Sequence, residues 1–413
     1  MTAVPSAGAV VIPHIPVVEP PTPRMPDFFG VDGLLGDAER AVRDEVRAWV
    51  DARVMPIIAE CWLENRFPRE LLPEMARLHL FGPSIPAEYG GGGKSGVEYG
   101  LMMQELERAD SGIRSFCSVQ SSLVMYPIHA FGSEAQRRRW LPGLAAATEI
   151  GCFGLTEPDV GSNPAGMTVR ATRTADGWTL TGRKKWLSNG PMATVAVVWA
   201  QTGEVGDHRA VRGFIVPTDT KGVTVHHITD KYSLRVSPSS AMDFDDVHLP
   251  ADALLPGVEG LKGALMCLNQ ARYGIVWGAL GAAIHCYEEA LAYGKQRVMF
   301  GRPIAGFQLQ QDRLVDMLSE IVKAQLLALQ LGRLKDAGQL RPEQISLAKR
   351  NNVDIACDAA REARRLLGAN GILSPYHAMR HMADLESVYT YEGTHDMHTL
   401  IVGQAVTGEN AFA

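Results

Sequence analysis

The sequence predicts an α+β fold in which helices at both ends enclose a compact β block. Apolar residues recur at helical spacing over residues 31–149, short β-rich runs replace them over 150–255, and long helical patterns return over 256–413. A chain of 413 residues, 46% hydrophobic and 21% charged, can bury a large core and has the length of two or three domains.

Residues 1–30 carry Pro5, Pro13, Pro16, Pro20, Pro21, Pro23 and Pro26, a composition that suits a flexible extended arm. Their first basic residue is Arg24, so neither a secretory signal nor an arginine-rich transit peptide is expected. Asp37 is a plausible N-cap for a helix whose apolar face is Val42, Val46, Trp49 and Val50. Helical stretches follow over Leu71 to Leu80, Val97 to Ala109, Ile113 to Phe131 and Glu134 to Ala146. Strands are expected over Met167 to Thr172, Trp178 to Thr181, Thr194 to Gln201, Gly213 to Pro217 and Val223 to Ile228, with a hairpin turn at Asp176-Gly177. Helices then run over Leu261 to Met299, Gln308 to Lys335 and Pro342 to Leu367, with a final pair on either side of Glu392.

A net charge of −6 lacks the basic footprint of nucleic-acid binding. The longest apolar run, Gly274 to Ile284, is too short to span a bilayer, so no membrane role and a cytoplasmic location are expected. Six scattered cysteines without a C-x-x-C pair argue against a disulfide framework or a zinc site. Gly90-Gly91-Gly92-Gly93-Lys94-Ser95 imitates the end of a phosphate loop, but Glu88 stands where its first glycine belongs, and a surface turn is the better expectation. His377 with His381 and His395 with His398 share helix faces without an HExxH signature, and no metal is expected.

Phe153-Gly154-Leu155-Thr156-Glu157-Pro158, Gly161-Ser162, Lys185-Trp186-Leu187-Ser188-Asn189 and Leu367-Gly368-Ala369-Asn370-Gly371 occur in order across this plan. Together they resemble the acyl-CoA dehydrogenase family over nearly the whole chain after residue 30. Ala271-Arg272-Tyr273-Gly274-Ile275, Asp110-Ser111-Gly112-Ile113-Arg114-Ser115 and Tyr391-Glu392-Gly393-Thr394-His395-Asp396 are most similar to its glutaryl-CoA dehydrogenase branch. The resemblance implies an N-terminal helical domain, a central β-barrel or sandwich and a C-terminal four-helix bundle. It also implies an FAD cofactor, an acyl-CoA substrate, an electron-transfer flavoprotein as acceptor and a homotetramer.

In that family a carboxylate takes the α proton of an acyl thioester while the β hydrogen leaves as hydride to flavin N5. Glu392 matches the base; by itself it reads more readily as an ordinary helix-entry glutamate before a helix that Thr394 could cap, and it is the surrounding motifs that favour the base. No G-x-G-x-x-G fingerprint supports a Rossmann site. The resemblance places Phe153, Leu155, Thr156, Trp186, Leu187 and Ser188 around the isoalloxazine, with Thr394 also at the cofactor. Arg297, Gln308, Leu367, Gly368 and Ala369 match positions reaching the pyrophosphate and adenine, partly from a neighbouring subunit. Ser162, Leu265, Asn269, Arg272 and Gly393 match acyl-CoA contacts. Asn163, Ser188 and Ala369 depart from the usual family residues.

Arg114 lies in a small, apolar run, where its charge is costly unless met, and Ser118 shares its helix face. In glutaryl-CoA dehydrogenases the matching arginine and serine receive the distal carboxylate, and Ser115 lies beside them. Tyr391 agrees with the branch that decarboxylates its product to crotonyl-CoA. The alternatives are a short-chain or other carboxylated acyl-CoA dehydrogenase or oxidase and, more distantly, a flavin monooxygenase on the same fold.

Overall fold

The computed structural model describes residues 24–412, so most of the expected proline-rich arm lies outside the described residues. Its last part is pinned: the Met25 amide donates to Glu288 at 2.8 Å and the Val31 amide to Asp27 at 2.7 Å. Among the described residues no helix is long and apolar enough to cross a membrane.

Among the described residues seven helices come first: α1 Asp37–Trp49, α2 Met55–Leu63, α3 Leu72–Arg77, α4 Gly96–Ala109, α5 Ser111–Ser118, α6 Tyr126–Phe131 and α7 Glu134–Ala145. Gly36, not Asp37, is the N-cap of α1; its amide donates to the Glu39 carboxylate at 2.8 Å. The run expected as one helix from Ile113 is α5 and α6 joined by a wide π-type turn, Val119–Met125, ahead of Pro127. The glycine run at 90–93 is a turn before Ser95, which caps α4 by accepting from the Glu98 amide at 3.1 Å.

Seven strands form one curled sheet: β1 Gly151–Gly154, β2 Arg170–Arg173, β3 Gly177–Ser188, β4 Val195–Gln201, β5 Val211–Pro217, β6 Val223–Ile228 and β7 Ser239–Pro250. The turn before Gly177 joins β2 to β3 as expected. Sequence reading missed β1 and β7, and took β3 only as far as Thr181. β7 carries Asp243, Asp245 and Asp246, residues that strands disfavour; Asp243 is half-buried, and Asp245 and Asp246 both stay open to solvent where the register with β3 shifts. β4 is buried at every residue because both its faces are covered. Val195, Val197 and Trp199 join the helical core, while Ala196, Val198 and Ala200 fill the core of the sheet.

The C-terminal part is α8 Lys262–Gln296, a short hairpin of β8 Val298–Met299 and β9 Arg302–Pro303, then α9 Gln308–Asp336, α10 Pro342–Leu366, α11 Ala378–Thr390 and α12 His395–Thr407. α8 is buried along most of its length, because small residues let α4 close onto it. A Cβ on Gly281 would stand 1.9 Å from the Gln104 carbonyl, and one on Gly278 would stand 1.9 Å from a Glu107 oxygen.

Candidate active site

Glu392 lies in the tight loop between α11 and α12, and it adopts φ +54° with Gly393 following at φ +94°. A Cβ on Gly393 would come within 2.9 Å of His398 and 3.3 Å of Arg272, so glycine is needed for space as well as conformation. Thr394 caps α12, accepting from the Met397 amide at 3.1 Å. Arg272 of α8 donates to the Glu392 carbonyl at 2.7 Å and to Asn269 at 3.2 Å. Lys349 of α10 donates to the carbonyls of Tyr391 and of Gly393, the second at 2.7 Å. Glu392 Oε2 is sealed from solvent and has no hydrogen-bond partner. Burial raises the pKa of this carboxyl, while Lys349, Arg114 and Arg272 pull the other way. Those are properties of a general base in a dry pocket.

Arg114 of α5 is fully buried, with Nε on Glu107 at 2.5 Å and Nη2 on the Tyr391 hydroxyl. Ser111 adds a second bond to Glu107 at 2.8 Å. Burial works against the arginine charge, but Glu107 and Tyr391 more than offset it and raise its pKa. Arg114 Nη1 remains without a partner, and Ser118 Oγ makes no hydrogen bond of normal geometry, although Tyr99 lies beside it and bonds Ser122 at 3.0 Å. Ser115 is buried on the same short helix. Three basic side chains, Arg114, Lys349 and Arg272, thus surround two carboxyl groups, Glu107 and Glu392.

Phe153 and Leu155 lie at the end of β1 and just beyond it, nearly buried, with Thr156 half-buried after them. Lys184 of β3 fixes this segment through the Leu155 carbonyl at 2.9 Å and Glu157 at 2.8 Å. Glu157 in turn accepts from the amides of Thr168 and Val169 at 2.7 and 3.0 Å. Trp186 occupies a bulge in β3 at φ +65°, which turns its large indole outward, 55% exposed, between buried Lys184 and Leu187. Ser188 follows half-buried, and Asn189 donates to the Phe116 carbonyl of α5 at 3.1 Å. This bond joins the end of β3 to the helix that carries Arg114. An open aromatic and hydroxyl-bearing face of this kind fits a flat heteroaromatic ring.

The remaining predicted positions do not all converge within the single chain. Arg297 and Gln308 flank the β8–β9 hairpin, exposed; Gly368 and Ala369 are exposed after α10, with Leu367 buried. Asn370 ties this region to Tyr293 of α8 at 3.0 Å, and no hydrogen bond among the described residues links it to Trp186. Leu265, Asn269 and Arg272 share a face of α8, whereas Ser162 is exposed on the loop after β1.

Among the described residues, His285, Glu289 and His377 could offer metal ligands within 4.8 Å of one another. The Glu289 oxygens accept from the His377 and Ala378 amides at 2.8 and 3.0 Å, and Arg380 lies 2.8 Å from His377 Nδ1. Donation from Arg380 leaves the proton on the other ring nitrogen of His377, so the group anchors the start of α11 rather than presenting open ligands.

Sequence reasoning missed Lys349 and Glu107. Lys349 interrupts the buried stripe Ile345, Ala348, Asn352, Val353 and Ala356 of α10, and Glu107 lies in a helix buried almost throughout. For Lys349, a charge in an apolar stripe was the available signal.

Models of the acyl-CoA dehydrogenase N-terminal, middle and C-terminal domains match residues 36–148, 152–247 and 258–407. A structure of glutaryl-CoA dehydrogenase from Mycobacterium smegmatis is 55% identical with a TM-score of 0.91, over 94% of this chain and 99% of that one. A second from the same organism, in complex with FADH2, is 50% identical with a TM-score of 0.91, over 93% and 98% of the two chains. The short-chain specific acyl-CoA dehydrogenase of Megasphaera elsdenii is 33% identical over 86% of this chain and 94% of its own length. With a sealed carboxylate, an ordered helical and β framework and three matched domains in sequence, the chain belongs to the acyl-CoA dehydrogenase family of FAD-dependent oxidoreductases.

Proposed function

We propose that the chain dehydrogenates a short dicarboxylic acyl-CoA, glutaryl-CoA foremost, and decarboxylates the product to crotonyl-CoA. The observation that carries this reading is the unpartnered Nη1 of fully buried Arg114, in a pocket that Lys349 and Arg272 also line with basic groups. A buried guanidinium nitrogen without an acceptor is costly, and a substrate carboxylate would satisfy it with a charge-assisted bond. Ser118 supports the same end of the substrate.

Glu392 takes the α proton, which its buried, partly raised carboxyl suits it to hold. FAD, when bound against Trp186, Thr156 and Ser188, supplies the oxidising ring that accepts the β hydrogen with its electron pair. Arg272 and Lys349 hold the Glu392 loop during the transfer. Loss of the distal carboxylate as carbon dioxide then leaves its electron pair in a dienolate, and one returned proton completes crotonyl-CoA. Protonated Glu392, or the Tyr391 hydroxyl held by Arg114, would return that proton. An electron-transfer flavoprotein is the proposed acceptor. The exposed apolar residues Phe300 and Leu309 beside Arg297 and Gln308 support a homo-oligomer, proposed as a tetramer, in which a neighbouring copy covers the cofactor's far end.

The second reading, a short-chain acyl-CoA dehydrogenase, draws on the Arg114–Glu107 ion pair, which on its own is a sufficient structural role for the arginine. Arg114→Met separates the two. The dicarboxylate reading expects kcat/KM on glutaryl-CoA to fall by roughly 10- to 100-fold more than on butyryl-CoA, the worth of a charged hydrogen bond. Equal losses on both substrates support the short-chain reading.

A further inference from the structure

The carbonyls of Tyr391, Glu392 and Gly393 follow one another through the loop, and each accepts from a cationic side chain. Arg272 takes the middle one and Lys349 the outer two, so a single ammonium bridges the backbone on either side of Glu392. The left-handed conformation of a non-glycine residue persists only where its surroundings over-determine it. Lys349 is 2% exposed, and two of its three N–H bonds are spent on this loop. We propose that Lys349 is a positioning residue for the Glu392 base, clamping through those two carbonyls the left-handed turn that aims the carboxylate. The inference rests on the reading of Glu392 as the base.

The charge of Lys349 matters as well as its hydrogen bonds. The groups facing Glu392 are Tyr99 from α4, Arg114 from α5, Arg272 from α8, Lys349 from α10, Tyr391 at the end of α11 and His398 from α12. His398 is held neutral, chiefly by burial, and burial raises the pKa of the Tyr391 hydroxyl. Lys349 is therefore one of three cations that favour the ionised base, and the one bound to the backbone on both sides of it. Burial lowers its own pKa to about 7, opposed by Glu392.

Two variants of the flavin-loaded full chain test this. Lys349→Met removes donor and charge; Lys349→Gln removes the charge and keeps donors. Anaerobic flavin reduction and exchange of the substrate α hydrogen with deuterium oxide are followed against pH, with glutaryl-CoA and butyryl-CoA. Losing a nearby cation raises the carboxyl pKa, so the acid limb of both processes is expected to move up by about one pH unit in either variant. Lys349→Met should also lose at least roughly tenfold in rate at saturating substrate, with KM little changed, and Lys349→Gln should recover most of that rate. An unshifted acid limb, or a loss expressed mainly in KM, overturns the proposal. Glu392→Gln run alongside separates the two failures. Residual turnover there defeats the base assignment itself, whereas an inactive Glu392→Gln beside an unaltered Lys349→Met defeats only the clamp.

Discussion

Glu392 holds a backbone conformation that costs an L-residue roughly 1–2 kcal/mol, and the cost falls on the residue proposed to do the chemistry. Replacing it with glutamine keeps the shape and removes the base. Turnover is then expected to vanish while the protein stays yellow, and substantial dehydrogenation by Glu392→Gln would contradict the assignment. Gly393→Ala places a methyl group 2.9 Å from His398 in a left-handed position, so it should slow turnover sharply and leave flavin binding in place. Absorbance spectra with steady-state rates check both. At this scale the sequence was legible wherever several residues formed a motif, as around Glu392, Trp186 and Arg114. Lys349 escaped because it is far along the chain from the loop it bonds, and Glu107 because it stands among other charges, Glu105 and Arg108, in a helix whose burial only the packing of α4 against α8 reveals.

At the scale of elements, the site depends on how closely α4 approaches α8. Gly278 leaves the space in which Glu107 meets Arg114; a Cβ there would lie 1.9 Å from Glu107 and 3.0 Å from Arg114. Gly278→Ala is expected to destabilise the protein by about 1–3 kcal/mol, the usual cost of overpacking, and to weaken glutaryl-CoA turnover more than butyryl-CoA turnover. Denaturant unfolding and the two rate constants measure this, and an unchanged midpoint would show that the pair has room to shift. The long helices were plain in the sequence because their apolar residues repeat over many turns. β7 was not, since its three aspartates disguise an alternating strand, and β1 is only four residues long. Arg297, Gln308, Gly368 and Ala369 illustrate a different limit: they are exposed, and an exposed position carries no packing signal within one chain.

For the molecule as a whole, four buried histidines set the response to acid. Burial foremost depresses the pKa of His285 and His381, of His377 to about 3 and of His398 to about 2. Between their ordinary value near 6.5 and these depressed values the unfolded chain binds more protons than the folded one, so stability falls as pH falls through that window. Buried Glu288, Asp384 and Glu392, whose pKa values are raised, act in the opposite sense above their ordinary range but are fewer. The melting temperature is expected to decline from about pH 6.5 downward, and a flat profile to pH 5 would contradict the neutral histidine cluster. Whether the protein is a decarboxylating dehydrogenase is decided by anaerobic addition of glutaryl-CoA to the flavin-loaded protein, followed by product analysis. The flavin should bleach with crotonyl-CoA and carbon dioxide formed, and kcat/KM on glutaryl-CoA should lie well above that on butyryl-CoA; equal efficiency on the two substrates, with no carbon dioxide released, would rule out the dicarboxylate reading.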